Sequence, residues 1–285
     1  MKRLDGRAPE DVRPLSIIYD RYGFADASLI FELGNTVVMA SVSLSQGVPP
    51  FLKGQGIGWL SAEYAMLPSA TQQRTMREAV KGQRDGRSVE ISRLIGRCLR
   101  SIVDLTLIGE RTITIDCDVL QADGGTRVAC ITAASLALEK ACERWIAQGI
   151  ITQSICKDRI VGISVGVVDG QLLTDLAYTE DCRADADFNF VLSAQGALVE
   201  IQGTSEKAPI AWEVFEQLKV MAINGVQQIL SQTASIEPSH ANPKQDLIKQ
   251  HSQHAQQQNR SKNFEQNKKN NKPALFSLGN RINTP

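Results

Sequence analysis

The residues best suited to chemistry lie in three short stretches. The first is DVLQADGGTRVACITAASLALEKA, residues 118 to 141, where an alternating apolar run meets Gly124, Gly125, Thr126 and Arg127 and then continues as a helical pattern. A strand, a glycine turn and a helix start leave unpaired backbone N–H groups at the positive end of a helix dipole, and glycine lets an anion approach the main chain closely. Thr126 adds a hydroxyl and Arg127 a planar charge matched to phosphate or carboxylate. Strand-to-helix turns also use glycine for geometry alone, so on these residues an anion site and a plain turn stand level. The spacing is not that of a P-loop, and Gly54, Gly56 and Gly58 do not make the dinucleotide fingerprint.

The second stretch is KGQRDGRSVEI, residues 81 to 91. Here Gly86 and Arg87 precede Ser88, which is read as the N-cap of a long helix, so the guanidinium can share an anion with that helix start. Residues 71 to 101 carry eight Lys and Arg against three acids. Arg93, Arg97 and Arg100 fit a solvated helix face with salt bridges, whereas Arg74 to Arg87 are too dense for that reading alone. The third stretch, YTEDCRADADFNF at 178 to 190, puts Glu180, Asp181, Asp185 and Asp187 within eight residues. Crowded carboxylates raise one another's pKa and attract a hard divalent cation, although an isolated acidic loop is usually just solvated. Beside an anion site they supply a metal ligand and a proton donor. All three histidines, His240, His251 and His254, fall late in the chain, so chemistry in residues 1 to 232 runs without His-based triads or zinc sites.

These residues need a scaffold, and the hydrophobic pattern supplies one. Strands are expected at Ser16 to Tyr19, Ala27 to Glu32 and Thr36 to Ser43, around Ile113 to Val119, at Val161 to Val168 and at Leu172 to Tyr178. Residues 188 to 202 read as a hairpin turning near Gln195-Gly196. Ile91, Leu94, Ile95, Cys98, Leu99 and Ile102 keep the spacing of one buried helix face. A second helix follows the glycine turn to about Trp145. A last one, starting near Pro209, aligns Phe215, Leu218, Ala222 and Ile229. The fold class is α+β, with helices covering one face of each sheet and no repeat that divides residues 1 to 232.

The chain has 285 residues, 42% of them hydrophobic, and zero formal net charge. It has no apolar run of membrane-spanning length, and MKRLDGRAPEDVRP lacks the apolar stretch of a signal peptide, so the expectation is a cytoplasmic protein. The six scattered cysteines form no C-x-x-C pair and are read as core residues rather than zinc ligands or bridges. From residue 233 the composition changes: 15 of 53 residues are Asn or Gln, with eight Lys and Arg against three acids. Disorder is expected there. The tail is read either as a passive linker or as a segment in which Ala274 to Leu278 dock a protein partner.

The strings GQGIGWLSAEYAMLPSATQQRTMREAVKGQRDGRSVEISRLIGRCLR, IDCDVLQADGGTR, LAYTEDCRADADFN and VEIQGTSE, in that order, resemble the bacterial RNase PH family from about residue 3 to 232. The resemblance implies a PH-domain exoribonuclease fold and a phosphorolytic 3′-to-5′ exoribonuclease. Such an enzyme trims tRNA precursors with inorganic phosphate and releases nucleoside diphosphates. It implies phosphate binding by Arg87, Gly125, Thr126 and Arg127, and catalysis by Asp181 and Asp187, with Mg²⁺ held near those aspartates. It further implies RNA contacts by Arg74 and Arg77, and a homohexamer built as a trimer of dimers. The chain departs from the pattern at Ser69, where the family commonly has Leu-Pro-Arg, and at Ala65, in place of a family glycine. The lost arginine weakens the expected grip on RNA or on a neighbouring subunit. Two other readings remain: a catalytically silent PH-fold subunit that only binds RNA, and a small-molecule phosphate enzyme on a related fold; where the tail is more than a linker, its basic residues between 244 and 272 are read as holding RNA loosely.

Overall fold

The computed structural model describes residues 3–20 and 22–236, and the readings of the tail beyond 236 lie outside the described residues. The chain opens with β1 (Leu15–Tyr19), β2 (Ala27–Leu33) and β3 (Thr36–Gln46), followed by β4 (Trp59–Met66). Next come α1 (Glu78–Lys81), α2 (Gly86–Ser101), β5 (Arg111–Gln121) and α3 (Thr126–Ala147). The second half has β6 (Ile160–Val168), β7 (Gln171–Thr174), α4 (Tyr178–Asp181), β8 (Ala184–Ser193), β9 (Leu198–Ser205) and α5 (Trp212–Ala234). Two sheets form, ordered β1-β2-β3-β5-β4 and β7-β6-β8-β9; only the β4–β5 pair is parallel.

Strand β5 follows its sequence pattern: Ile113, Ile115, Cys117 and Val119 are buried in strict alternation. Helix α3 is different, because every residue from Val128 to Leu138 is buried. The helix packs on β2, β3 and β5 of one sheet and on β6 and β8 of the other, so this stretch of it has no solvent face to keep polar. Its hydroxyls reach the second sheet directly: Gly162 N–H donates to Thr132 Oγ1 at 3.0 Å, and Ile160 N–H to Ser135 Oγ at 3.1 Å. A Cβ at Gly162 would stand 2.8 Å from Val128 Cβ, so glycine sets this helix-to-strand distance. Helix α5 covers the far side of β6 with Leu218, Ala222, Val226 and Ile229.

Three boundaries differ from expectation. Helix α2 starts at Gly86, capped by Asp85, whose carboxylate accepts from Arg87 N–H; Ser88 lies inside the helix, buried, and donates to Glu78. The strand expected at Leu172 to Tyr178 stops at Thr174, because Asp175 takes a left-handed φ of 54° and Tyr178 begins α4. Helix α5 begins at Trp212, three residues beyond Pro209, with Ala211 as its N-cap.

What stops β7 also joins the two halves. Arg13 Nε and Nη2 donate to Asp175 Oδ2 and Oδ1 at 2.8 and 2.7 Å, and the Arg13 backbone N–H adds a third bond at 2.8 Å. Burial alone drives the Asp175 carboxyl up, but the hydrogen bonds and charge of Arg13, with Arg7 behind it, reverse this and hold it below the usual carboxylate range. Removing one partner strands the other charge in the interior. Asp175→Ala is therefore expected to lower stability by about 3–5 kcal/mol in a urea melt. For the intact pair the sign follows from the lowered value: its contribution is complete above about pH 4, where an unfolded Asp is ionised, and is lost as pH falls through the lower folded pKa.

Candidate functional site

The candidate anion site lies where β5 runs into α3. Gly124 and Gly125 both take left-handed φ, 78° and 65°. At Gly124 glycine is obligatory twice over, since a Cβ would also meet the Leu176 carbonyl at 2.4 Å. Gly125 is the N-cap of α3 and offers no side chain to its first turn, so those N–H groups stay open to a ligand. The loop's carbonyls are already committed. Asp123 O accepts from Arg13 Nη1 at 2.6 Å, and Gly124 O from Thr36 Oγ1 at 2.7 Å. Asp123 Oδ1 then accepts from Tyr178 N–H at 3.3 Å, tying the loop to the start of α4.

Thr126 is buried, and its Oγ1 lies 3.2 Å from the Tyr64 hydroxyl. Burial pushes the Tyr64 phenol up to about 12, against the pull of Thr126, Arg87 and Arg127, so it stays a neutral hydrogen-bonding partner at physiological pH. Arg127 Nη1 donates to Gln202 Oε1 at 2.8 Å, and Gln202 Nε2 to Glu90 Oε1 at 3.2 Å. This chain from β9 through Gln202 to α2 aims Arg127. Among the described residues the Arg87 guanidinium takes no ion-pair partner within hydrogen-bond distance.

The four carboxylates of the acidic stretch separate into two pairs. Glu180 is buried in a two-pronged bond with Arg3, both contacts 2.8 Å, and Asp185 is held by Lys207 Nζ at 2.6 Å. Those two are structural. Asp181 ends α4 and Asp187 sits in β8, opposite Gly166 and Thr204. Withdrawal of its carboxyl from water pushes Asp181 up, with Arg87 and Arg127 pulling it back down, although the residue as a whole is exposed. Asp187 is raised by burial first and then by the charge of Asp181, and Arg127 opposes this. Arg87, Thr126, Arg127, Asp181 and Asp187 thus share one electrostatic neighbourhood drawn from α2, α3, α4 and β8.

Arg74 and Arg77 stay outside it, exposed ahead of α1, with Arg77 acting on Asp118. Ser69 and Ala65 are exposed in the same region. Arg97 and Arg100 fill the structural role expected of a helix face: Arg97 grips Glu200 at 2.8 and 3.0 Å, and Arg100 lies over the Trp59 ring. A cleft of about 530 Å³ beside β4 and β5 is lined by Glu63, Glu78, Asp116, Asp118 and Arg84. With four carboxylates against one guanidinium, its lining is poorly matched to phosphate.

Comparison with known proteins gives the family. Models of the 3′ exoribonuclease family match twice, domain 1 over residues 11–142 and domain 2 over residues 158–221. Ribonuclease PH of Synechococcus sp. (strain CC9605) is 49% identical over 228 residues, which is 80% of this chain and 92% of the relative. The chain belongs to the 3′ exoribonuclease family, with ribonuclease PH. Ribonuclease PH of Parasynechococcus marenigrum (strain WH8102) is 47% identical over 229 residues, 80% of this chain and 91% of that one. Among solved structures, a chain of the Archaeoglobus fulgidus exosome with RNA bound to the active site superposes with a TM-score of 0.69 at 21% identity, covering 81% of this chain and 92% of that one. Rice (Oryza sativa) Rrp46 gives 0.66 at 20%, covering 82% and 100%. These two share the fold. Family membership makes the chain a phosphate-dependent 3′ exoribonuclease, and the comparisons give no support to the silent-subunit reading.

Tyr64, Gln202, Glu90 and the Arg13 brace were not picked out from sequence, since each lies far along the chain from the residue it supports. The raised Asp187 yields a signed test. Its charge is disfavoured in the fold, so Asp187→Asn should raise the melting temperature at pH 7, and the gain should vanish below about pH 4, where the aspartate is protonated in the unfolded chain as well.

Proposed function

We propose that this protein shortens the 3′ ends of tRNA precursors by phosphorolysis, with inorganic phosphate seated between the α3 N-terminus and Arg87. The observation that carries the reading is the meeting of an unpaired Arg87, an aimed Arg127 and an uncapped helix start with two carboxylates of raised pKa. Gly125 and Thr126 contribute backbone N–H groups and a hydroxyl, and the two guanidiniums neutralise the nucleophile without protonating it. Phosphate held there is positioned to attack the last phosphodiester, and most of the rate comes from placement and charge compensation. The bond from phosphate oxygen to the terminal phosphorus forms as the bond to the 3′ oxygen of the preceding nucleotide breaks. A nucleoside diphosphate leaves.

The departing 3′ oxygen needs a proton, and Asp187, whose pKa is raised by burial and by Asp181, is the better donor of the two. Asp181 and Asp187 offer hard oxygen donors that suit Mg²⁺, which takes one or two carboxylates and completes its shell with phosphate oxygens and water. Among the described residues no group of three or more metal-ligating side chains forms, so the two aspartates are the protein's whole contribution. When bound, the ion would neutralise charge developing on the phosphoryl oxygens. Arg74 and Arg77, exposed before α2, would track the RNA backbone.

The remaining elements of the proposal are coarser. Residues 1 to 232 act as one catalytic unit and 233 to 285 as an appended tail, with a protein partner on Ala274 to Leu278 a role for that tail. The chain works as a homohexamer, a trimer of dimers. No helix among the described residues is long and apolar enough to cross a membrane, and the proposed setting is the cytoplasm.

The test incubates the purified protein with tRNA carrying a short 3′ extension, with and without phosphate. Nucleoside diphosphates released only with phosphate are expected; monophosphates would sink the mechanism, and tight RNA binding with no release would reinstate the silent subunit. Arg87→Ala should cost at least ~100-fold in phosphorolysis while the fold survives, the scale of losing a charged transition-state contact.

A further inference from the structure

Away from the candidate anion site, the fold sets side by side two thiols 14 residues apart in sequence. Cys142 lies in α3, buried, and Cys156 lies in the segment that leads to β6; their sulfurs are 3.7 Å apart. The segment is held by its backbone. Asp104 N–H donates to Ile155 O and Lys157 N–H to Ile102 O, both at 2.8 Å, forming an isolated bridge between Val103 and Cys156. Cys156 N–H also donates to Ser154 Oγ at 3.1 Å. One thiol is therefore fixed by a long helix and the other by a backbone bridge. Cys156 is half-buried and lines a depression of about 350 Å³ with Ser154, Lys157, Asp158, Arg159 and Glu139, so small solutes reach the pair from that side.

We propose that Cys142 and Cys156 are a peroxide-reactive dithiol that closes reversibly to a disulfide and locks the connector between the two halves of the fold. The hydrogen bond from Cys156 lowers the Cys142 thiol, and the same contact with burial raises Cys156, so the pair gives up one proton readily and holds the second. The charge rests on Cys142 and reaches Cys156, the more accessible sulfur, when the shared proton crosses the contact. The thiolate attacks the O–O bond of hydrogen peroxide from the Cys156 side, forming a sulfenic acid and releasing hydroxide. The other sulfur then attacks that sulfenic sulfur, the S–S bond forms, and the S–OH oxygen leaves as water once protonated. Two thiols lose two electrons, and one peroxide becomes two waters. Two equivalents of a thiol reductant reverse it.

The location says what the bond would do. Cys142 is the last residue matched by the first family model, and the second match begins at residue 158, so the disulfide would close the intervening connector. Cys142 is also about 24 Å along α3 from Thr126, taking 1.5 Å per residue. Oxidation is therefore expected to restrict unfolding rather than alter phosphate binding. Closing a loop of this length should raise the melting temperature by roughly 5–10 °C.

The test treats the full-length protein with hydrogen peroxide, blocks the remaining thiols with a maleimide, digests it and maps the peptides by mass spectrometry. The expected product joins the Cys142 and Cys156 peptides, two hydrogens lighter than their sum and separable by dithiothreitol, in protein whose melting temperature has risen. Cys156→Ser should show no peroxide-dependent rise. Cys142 recovered as the maleimide adduct, with Cys156 as sulfinic or sulfonic acid or joined to another chain, would overturn the proposal. A linked pair with unchanged melting temperature would overturn the locking role.

Discussion

Asp175 holds a fully buried carboxylate against Arg13, and the anion site hangs from that pair. Through Asp175 the second sheet is fastened to the entry segment of the first. Through its remaining N–H groups Arg13 occupies the Asp123 carbonyl, leaving Thr36 to occupy that of Gly124. A buried ion pair is weak evidence of stability, because desolvation consumes much of the attraction. Its value here is geometric. A guanidinium has fixed, planar donors, so one side chain sets the distance between the glycine loop of the first half and the β7–α4 turn of the second, which leads into the helix ending at Asp181. Arg3 repeats the device with Glu180, bonding also to the Thr174 and Asp175 carbonyls at 2.8 and 2.9 Å.

This bracing explains why the acidic stretch divides as it does. Glu180 and Asp185 are satisfied by Arg3 and Lys207 and lose their chemical freedom, while among the described residues Asp181 and Asp187 take no short-range ion pair, Asp181 sensing Arg87 and Arg127 and Asp187 sensing Arg127. Charges paired at short range are structural, and charges interacting only through space are available to a ligand. The same rule separates the arginines: Arg97 and Arg100 are spent on Glu200 and the Leu60 carbonyl, whereas Arg87 is not.

The strand alternation in β5, the buried face of α2 and the glycine turn before α3 were legible because each is local: a period or a turn within a dozen residues. So were the three stretches that make the site. Hidden from sequence was whatever depends on long-range pairing. Nothing in ADADF says that Asp185 meets Lys207 while Asp187 faces Asp181 across the gap from β8 to α4. The early end of β7 was hidden too, because Asp175 accepts a strained backbone only to reach Arg13, 162 residues away in sequence. Ser88 looked like a cap because its chemistry suits one; Asp85 wins because its carboxylate stands two residues before the Arg87 amide that it accepts from. The cysteines gave no spacing signal, and only the fold sets two sulfurs side by side.

The site's charge balance also gives the proposed reaction its order. Without phosphate, Arg87 and Arg127 lower Asp181, and Arg127 lowers Asp187, which works against burial. Phosphate seated on those arginines cancels their field, and its own negative charge adds to the repulsion between the two carboxylates. Both effects push Asp187 further toward its protonated form. On the proposed mechanism, and with no metal ion on Asp187, binding the nucleophile would load the acid that the leaving oxygen requires, and a site lacking phosphate would be one whose donor is least protonated.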